Sequence, residues 1–137
     1  MPPPESMHTS HFSIIDRDGN LVSATQTVNT TFGSAFVVPG TGFVLNNEMD
    51  DFALVAGKPN AYGLVGGDAN APKAGHRPLS SMTPSFVTGA DRVGVIGTPG
   101  GRRIITMVLE GILAFIDGEP PEKFVADPRY HHQYLPD

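Results

Sequence analysis

Thr9 stands in the run His8-Thr9-Ser10-His11-Phe12-Ser13-Ile14-Ile15-Asp16, a hydroxyl just ahead of a stretch with strand character. A threonine hydroxyl is a poor nucleophile unless a base beside it takes the proton. If the chain is cut before Thr9, the residue's own α-amine supplies that base. On this segment alone, a surface threonine preceding a strand fits as well. The run Thr25-Gln26-Thr27-Val28-Asn29-Thr30-Thr31-Phe32-Gly33 follows. On a strand, Thr25, Thr27 and Asn29 share one face, which could set hydroxyl and amide groups beside Thr9 across a hairpin. An exposed threonine-rich strand is the plainer meaning.

Further words carry charge or backbone donors. Leu45-Asn46-Asn47-Glu48-Met49-Asp50-Asp51-Phe52 packs acids and amides into one short stretch, able to form a pocket for an ammonium group. Solvated surface and a cation site are the competing meanings. Arg77-Pro78-Leu79-Ser80-Ser81-Met82-Thr83-Pro84 offers adjacent hydroxyls between prolines. Neighbours on a strand point apart, so both reach one ligand only from a turn. Gly97-Thr98-Pro99-Gly100-Gly101-Arg102-Arg103 leads into an apolar helical pattern. Glycines there expose backbone N–H groups at the positive end of a helix dipole, which suits an oxyanion hole. A phosphate loop lacks its Walker pattern, and a plain strand-to-helix turn remains open.

The elements that must position these groups read as strand pairs followed by a helix. His11–Asp16 and Leu21–Val28 flank Arg17-Asp18-Gly19-Asn20, a hairpin signal. Ala35–Val38 and Gly42–Leu45 flank Pro39-Gly40-Thr41 as a second hairpin, and Ser85–Thr88 with Val93–Gly97 form a third. Residues 46–78 are mostly loop, broken by Gly63, Gly66, Gly67, Asn70 and Pro72. Arg102–Ile116 predicts a helix apolar around most of its circumference, hence buried on several sides. Glu122–Ala126 predicts a short second helix stopped by Asp127-Pro128. The order implies an α+β fold.

A chain of 137 residues is one domain's worth or part of a larger domain, and 39% hydrophobic residues is low for a self-sufficient core. Gly 16 and Pro 13 indicate a loop-rich chain. The net charge of −5 and the lack of a basic run disfavour nucleic acid and anionic membrane. Without cysteine there is no disulfide or thiolate metal site, and no histidine spacing resembles a zinc site. The opening Met1-Pro2-Pro3-Pro4-Glu5-Ser6 has no signal-peptide character. The longest apolar stretch, Met107 to Ile116, is too short to span a bilayer.

These words, in this order over nearly all of Glu5–Asp137, resemble the γ-glutamyltranspeptidase (glutathione hydrolase) family. His8-Thr9-Ser10-His11 resembles its autoprocessing junction, with residues 1–8 as the end of a large subunit and 9–137 as part of the small-subunit catalytic domain. The resemblance implies an N-terminal-nucleophile hydrolase αββα sandwich, only part of which this chain supplies. It implies acyl transfer from glutathione or a related γ-glutamyl donor, with Thr9 as nucleophile and Thr27 positioning it. Asn29 would help hold the donor, Glu48 and Asp51 would receive its α-amino group, and Ser80 and Ser81 its α-carboxylate. Gly100 and Gly101 would be the oxyanion donors. A large-subunit arginine that completes the carboxylate clamp has no counterpart here. Asp127–Asp137 matches a part of the family that looks structural. The implied partners are a small γ-glutamyl substrate and a large subunit of the same precursor, with no cofactor, no metal, no nucleic acid and no membrane segment. The implied location is periplasmic or extracellular. Cephalosporin acylases and poly-γ-glutamate-processing enzymes share the scaffold. A truncated, catalytically silent polypeptide is the reading from a different class, since the large subunit is not in this sequence.

Overall fold

The computed structural model describes residues 8–133; the expected tail before His8 and the segment Tyr134–Asp137 lie outside the described residues. The chain divides into two compact units. One holds Thr9 and Thr27–Ser80; the other holds Ser10–Gln26 and Ser81–His132.

The second unit contains the regular elements. β1 (Ser10–Ile15) and β2 (Leu21–Gln26) pair antiparallel, with His11 opposite Thr25 and Ser13 opposite Ser23. Asp16 closes their turn by accepting from the N–H groups of Asp18 (2.9 Å) and Asn20 (2.8 Å). Gly19 takes the left-handed conformation there, φ +83°, so the hairpin signal is met by an aspartate-capped turn. β3 (Ser85–Thr88) and β4 (Val93–Ile96) form a second antiparallel pair, the third hairpin of the sequence pattern. A 3-10 turn at Gly101–Arg103 runs into α1 (Ile104–Ile116), and α2 (Pro121–Ala126) follows with proline in its first turn.

α1 buries one stripe, Ile104, Val108, Gly111 and Phe115, and packs against β3 and β4. Close approach is set by small residues. A Cβ at Gly94 would press the Phe115 ring at 3.1 Å, and one at Gly111 would meet Ile96 at 3.3 Å. Arg92 covers the same ring, 4.5 Å from its centroid, and donates to the Phe115 carbonyl. The opposite stripe, Ile105, Leu109, Leu113 and Ile116, is at least half exposed. Burial on several sides is therefore corrected: the described strands supply one layer against α1, not two. After α2 the chain is tied back to α1. Glu110 accepts from the Tyr130 N–H at 2.6 Å, and His131 Nδ1 meets the Thr106 hydroxyl at 2.9 Å.

The first unit has no ladder longer than single bridges, at Val37↔Val44 and Pro59↔Val65, among the described residues. The second hairpin of the sequence pattern is thus reduced to one bridge, with flanking backbone bonds Val38 N–H to Phe43 O and Leu45 N–H to Phe36 O. The reason is local. Phe32, Gly33 and Ala35 all have positive φ, which coils the chain as it enters the would-be strand. A Cβ at Gly33 would strike the Leu45 carbonyl, so this position accepts only glycine. Short 3-10 turns at Glu48–Asp51 and Asp68–Asn70 punctuate the long loop. No helix among the described residues is long and apolar enough to cross a membrane.

Candidate active site

In the first unit, Thr9 is buried, 7% exposed, immediately before β1. The β1–β2 ladder ends at Ser10↔Gln26. The strand itself goes no further, which corrects the expectation that Leu21–Val28 is one strand and that Thr25, Thr27 and Asn29 share its face. Thr27 Oγ1 instead accepts from the Asn29 N–H at 2.9 Å and turns the chain. Asn29 adopts φ +76°, a conformation that asparagine tolerates better than most side chains.

Asn29 is 2% exposed and held from several directions. Its Nδ2 donates to the Asn47 carbonyl at 3.1 Å, and its own carbonyl accepts from the Tyr62 hydroxyl at 2.6 Å. Asn47 Oδ1 in turn accepts from the Thr30 N–H at 3.1 Å. The turn Glu48–Asp51 follows directly, with the Glu48 N–H bound to Asn46 Oδ1 at 3.0 Å and Asp50 Oδ2 accepting from the Ala61 N–H at 2.8 Å. Asn29 and the acidic turn are thereby built into one network of side-chain-to-backbone bonds.

Glu48 and Asp51 lie in one turn and each shifts the other's ionisation. Burial, then the Asp51 charge and a hydrogen bond between the two, push the Glu48 carboxyl up to about 7. Asp51 is also raised, chiefly by burial, although the bond from Glu48 pulls it down. Glu48 Oε1 is buried without a hydrogen-bond partner among the described residues. A half-buried acidic pair with an unsatisfied oxygen is short of a donor, and an ammonium group supplies several. Asn70 joins this turn to the residue before Ser80: its Nδ2 donates to the Asp51 carbonyl at 2.7 Å and its Oδ1 accepts from the Leu79 N–H at 2.9 Å. Ser80 comes next and is exposed.

The second unit carries Ser81, half-buried, and the glycine loop. Gly100 has φ +146° and Gly101 φ +57°, both unfavourable for side chains. The Arg103 N–H bonds the Gly100 carbonyl at 3.2 Å, so the loop winds straight into α1 and its N–H groups lie at the helix's positive end. A groove of about 500 Å³ between β4, α1 and α2, lined by Ile96, Met107, Phe115 and Phe124 with Arg92, Glu119 and Arg129 among others, contains none of the predicted site residues.

Several residues that organise the site escape sequence reasoning. Tyr62 and Asn70 are single polar residues inside a glycine-rich loop, and nothing in their spacing marks them. Asn47 sits within the acidic word but offers no sign that it anchors Asn29. Among the described residues no group of three or more histidine or acidic side chains is arranged to hold a metal.

The sequence model for Gamma-glutamyltranspeptidase matches residues 1–137. The glutathione hydrolase proenzyme of Escherichia coli is 50% identical over 137 residues, 98% of this chain and 24% of that protein. A crystal structure of a Helicobacter pylori gamma-glutamyltranspeptidase mutant is 54% identical, with a TM-score of 0.87 over 93% of this chain and 69% of its own. The Bacillus anthracis transpeptidase enzyme CapD is more distant, 25% identical with a TM-score of 0.66 over 91% of this chain and 62% of its own. The chain is a mixed α/β member of the gamma-glutamyltranspeptidase family, an enzyme family. It spans about a quarter of the length of the curated relatives it matches.

Proposed function

We propose that this chain carries the acyl-transfer site of a γ-glutamyl hydrolase or transferase acting on glutathione and related compounds. In this reading the Thr9 hydroxyl first attacks the His8 carbonyl. The peptide nitrogen leaves as the Thr9 α-amine, giving an ester that water hydrolyses. The freed α-amine then takes the hydroxyl proton as Thr9 attacks the γ-glutamyl amide. The leaving amine departs protonated, and water or an acceptor amine attacks the resulting ester. Thr27 positions Thr9, Gly100 and Gly101 donate to the oxyanion, and Asn29, Glu48, Asp51, Ser80 and Ser81 hold the donor's charged head group. A zwitterion buried without both charges paired would bind poorly.

The observation that carries this reading is the acidic turn. A half-buried Glu48–Asp51 pair, both carboxyls pushed up and one oxygen unpartnered among the described residues, fits an ammonium-bearing donor, and the family match over the whole chain supplies the chemistry. The set Asn29, Glu48, Asp51, Ser80 and Ser81 favours a free γ-glutamyl head group over a polymer substrate. The reading includes a boundary at His8–Thr9, a large subunit upstream of it, an N-terminal-nucleophile αββα sandwich completed by segments outside this sequence, and a periplasmic or extracellular site of action.

The test uses the full-length protein that carries this segment, assayed for nitroanilide release from γ-glutamyl-p-nitroanilide and weighed intact by mass spectrometry. Cleavage before Thr9 and turnover are expected in the wild type, and neither in Thr9→Ala. Turnover that survives Thr9→Ala would overturn the reading.

A further inference from the structure

His11 holds a place that the proposed reaction leaves unused. On β1 it faces β4 together with Ser13, and both ring nitrogens are engaged. Nδ1 lies 2.8 Å from the Thr25 hydroxyl and Nε2 3.0 Å from the Ser13 hydroxyl. The direction of these bonds follows from Ser13. Its hydroxyl donates to the Val95 carbonyl at 3.0 Å, so its oxygen must accept from Nε2–H. Nδ1 is then the bare nitrogen and accepts from the Thr25 hydroxyl. Ser23, paired with Ser13 across the hairpin, donates to the Ile96 carbonyl at 3.1 Å. These bonds grip the last residues of β4.

The next residue is Gly97, where the glycine loop begins. A Cβ there would overlap the His11 ring, and its three nearest atoms would be Cε1, Nδ1 and Nε2 of that ring. At the far side of the loop, a Cβ at Gly100 would strike the Met107 methyl group. The loop therefore rests on an imidazole at its start and a thioether near its end.

We propose that His11 is a positioning residue: its ring, locked by Thr25 and Ser13, is the platform that sets the Gly97–Gly101 loop and the backbone N–H groups of Gly100 and Gly101. This rests on the proposed γ-glutamyl chemistry for the role of those N–H groups, but not for the platform itself. Burial lowers the His11 pKa, which keeps the ring in the uncharged form that this bonding pattern needs. Misplacing an oxyanion donor costs kcat far more than it costs ground-state binding.

The experiment is a double-mutant cycle in the full-length protein. Gly97→Ala forces a methyl group into the ring and is expected to lower kcat by at least about tenfold with KM changed less than about twofold. His11→Ala removes the platform and is expected to lower kcat by a similar factor. Gly97→Ala added to His11→Ala should then cost less than about twofold, since the atoms it would strike are gone. Multiplicative losses, or full kcat in His11→Ala, would overturn the proposal. Nitrogen chemical shifts of the His11 ring give a readout independent of turnover. They should report the Nε2–H tautomer in the wild type and move in Gly97→Ala; a Nδ1–H tautomer, or shifts unmoved by Gly97→Ala, overturns the platform even if the γ-glutamyl assay is silent. A silent wild-type assay with the shifts as expected removes only the proposed reaction.

Discussion

The two units of this chain are stabilised by different means. The second is a framework: paired strands, a helix, and a seam in which Ile104, Val108 and Phe115 are buried. The first has Phe52 as its buried hydrophobic residue among those described, and it is organised by asparagines, with Asn29, Asn47 and Asn70 each binding backbone. Apolar burial is additive and non-directional, so a framework built on it tolerates small shifts. Hydrogen bonds to backbone fix angles and distances, and an unmet buried partner is costly. The proposed head-group clamp lies largely on the directional side of this contrast, while the oxyanion loop lies on the framework.

The contrast is broken most severely from the framework side. Ile104 is 2% exposed at the first position of α1. Ile104→Ala is expected to destabilise the protein by about 3–4 kcal/mol, by lost transfer energy and the cavity left behind. Urea unfolding measures this directly. Since Ile104 follows the glycine loop by a few residues, kcat should fall as well, at temperatures where the variant is still folded.

Asn29 tests the directional side with a smaller expected loss. Asn29→Ala removes the bond to Asn47 and leaves φ +76° to a side chain that tolerates the left-handed region less well than asparagine. The expected cost is about 2–3 kcal/mol, from an unmet buried carbonyl and left-handed strain together. Asn29→Gly relieves the strain and should cost about half as much. Equal losses in the two variants would mean that backbone conformation matters little here and that the side-chain bond carries the whole effect.

The same contrast explains what could be read from the sequence. The hairpins at Arg17–Asn20 and Gly89–Arg92 and the helix to Ile116 follow from turn chemistry and apolar periodicity, which are local. Single-face burial of α1 did not follow, because periodicity reports which positions are apolar and not how many layers surround them. The site words were legible as chemical types: acids for an ammonium group, glycines ahead of a helix. Their connections were not. The bonds of Tyr62 to Asn29 and of Asn70 to Asp51 span long stretches of loop, and a lone Tyr or Asn carries no period. Thr27 and Asn29 show the error that results. Alternation suggested a strand face, whereas the Thr27 hydroxyl bonds the Asn29 N–H and ends the strand.

The smallest expected effect separates the acidic turn from the nucleophile by pH. Burial and the neighbouring Asp51 charge push Glu48 up to about 7, and an ammonium group beside it would favour the carboxylate and pull that value down. Donor binding should therefore release a proton near neutral pH, and the apparent KM should rise as pH falls below about 7, by up to about tenfold per unit. The sign for stability is opposite. The folded pKa is raised above the unfolded one, so the ligand-free protein gains stability as pH falls from about 7 toward the ordinary carboxylate range and loses it as pH rises. A free α-amine on Thr9 would titrate at about 7.7–8.0 when unperturbed and must lose its proton to act as base, so kcat should also fall on the acid side. Glu48→Gln distinguishes the two, because it removes the carboxyl but leaves the amine. The acid rise in KM should vanish in that variant while the acid fall in kcat persists. If both limbs survive in Glu48→Gln, the ammonium contact belongs to another group, and the unsatisfied oxygen of Glu48 is a feature of the loop rather than of the clamp.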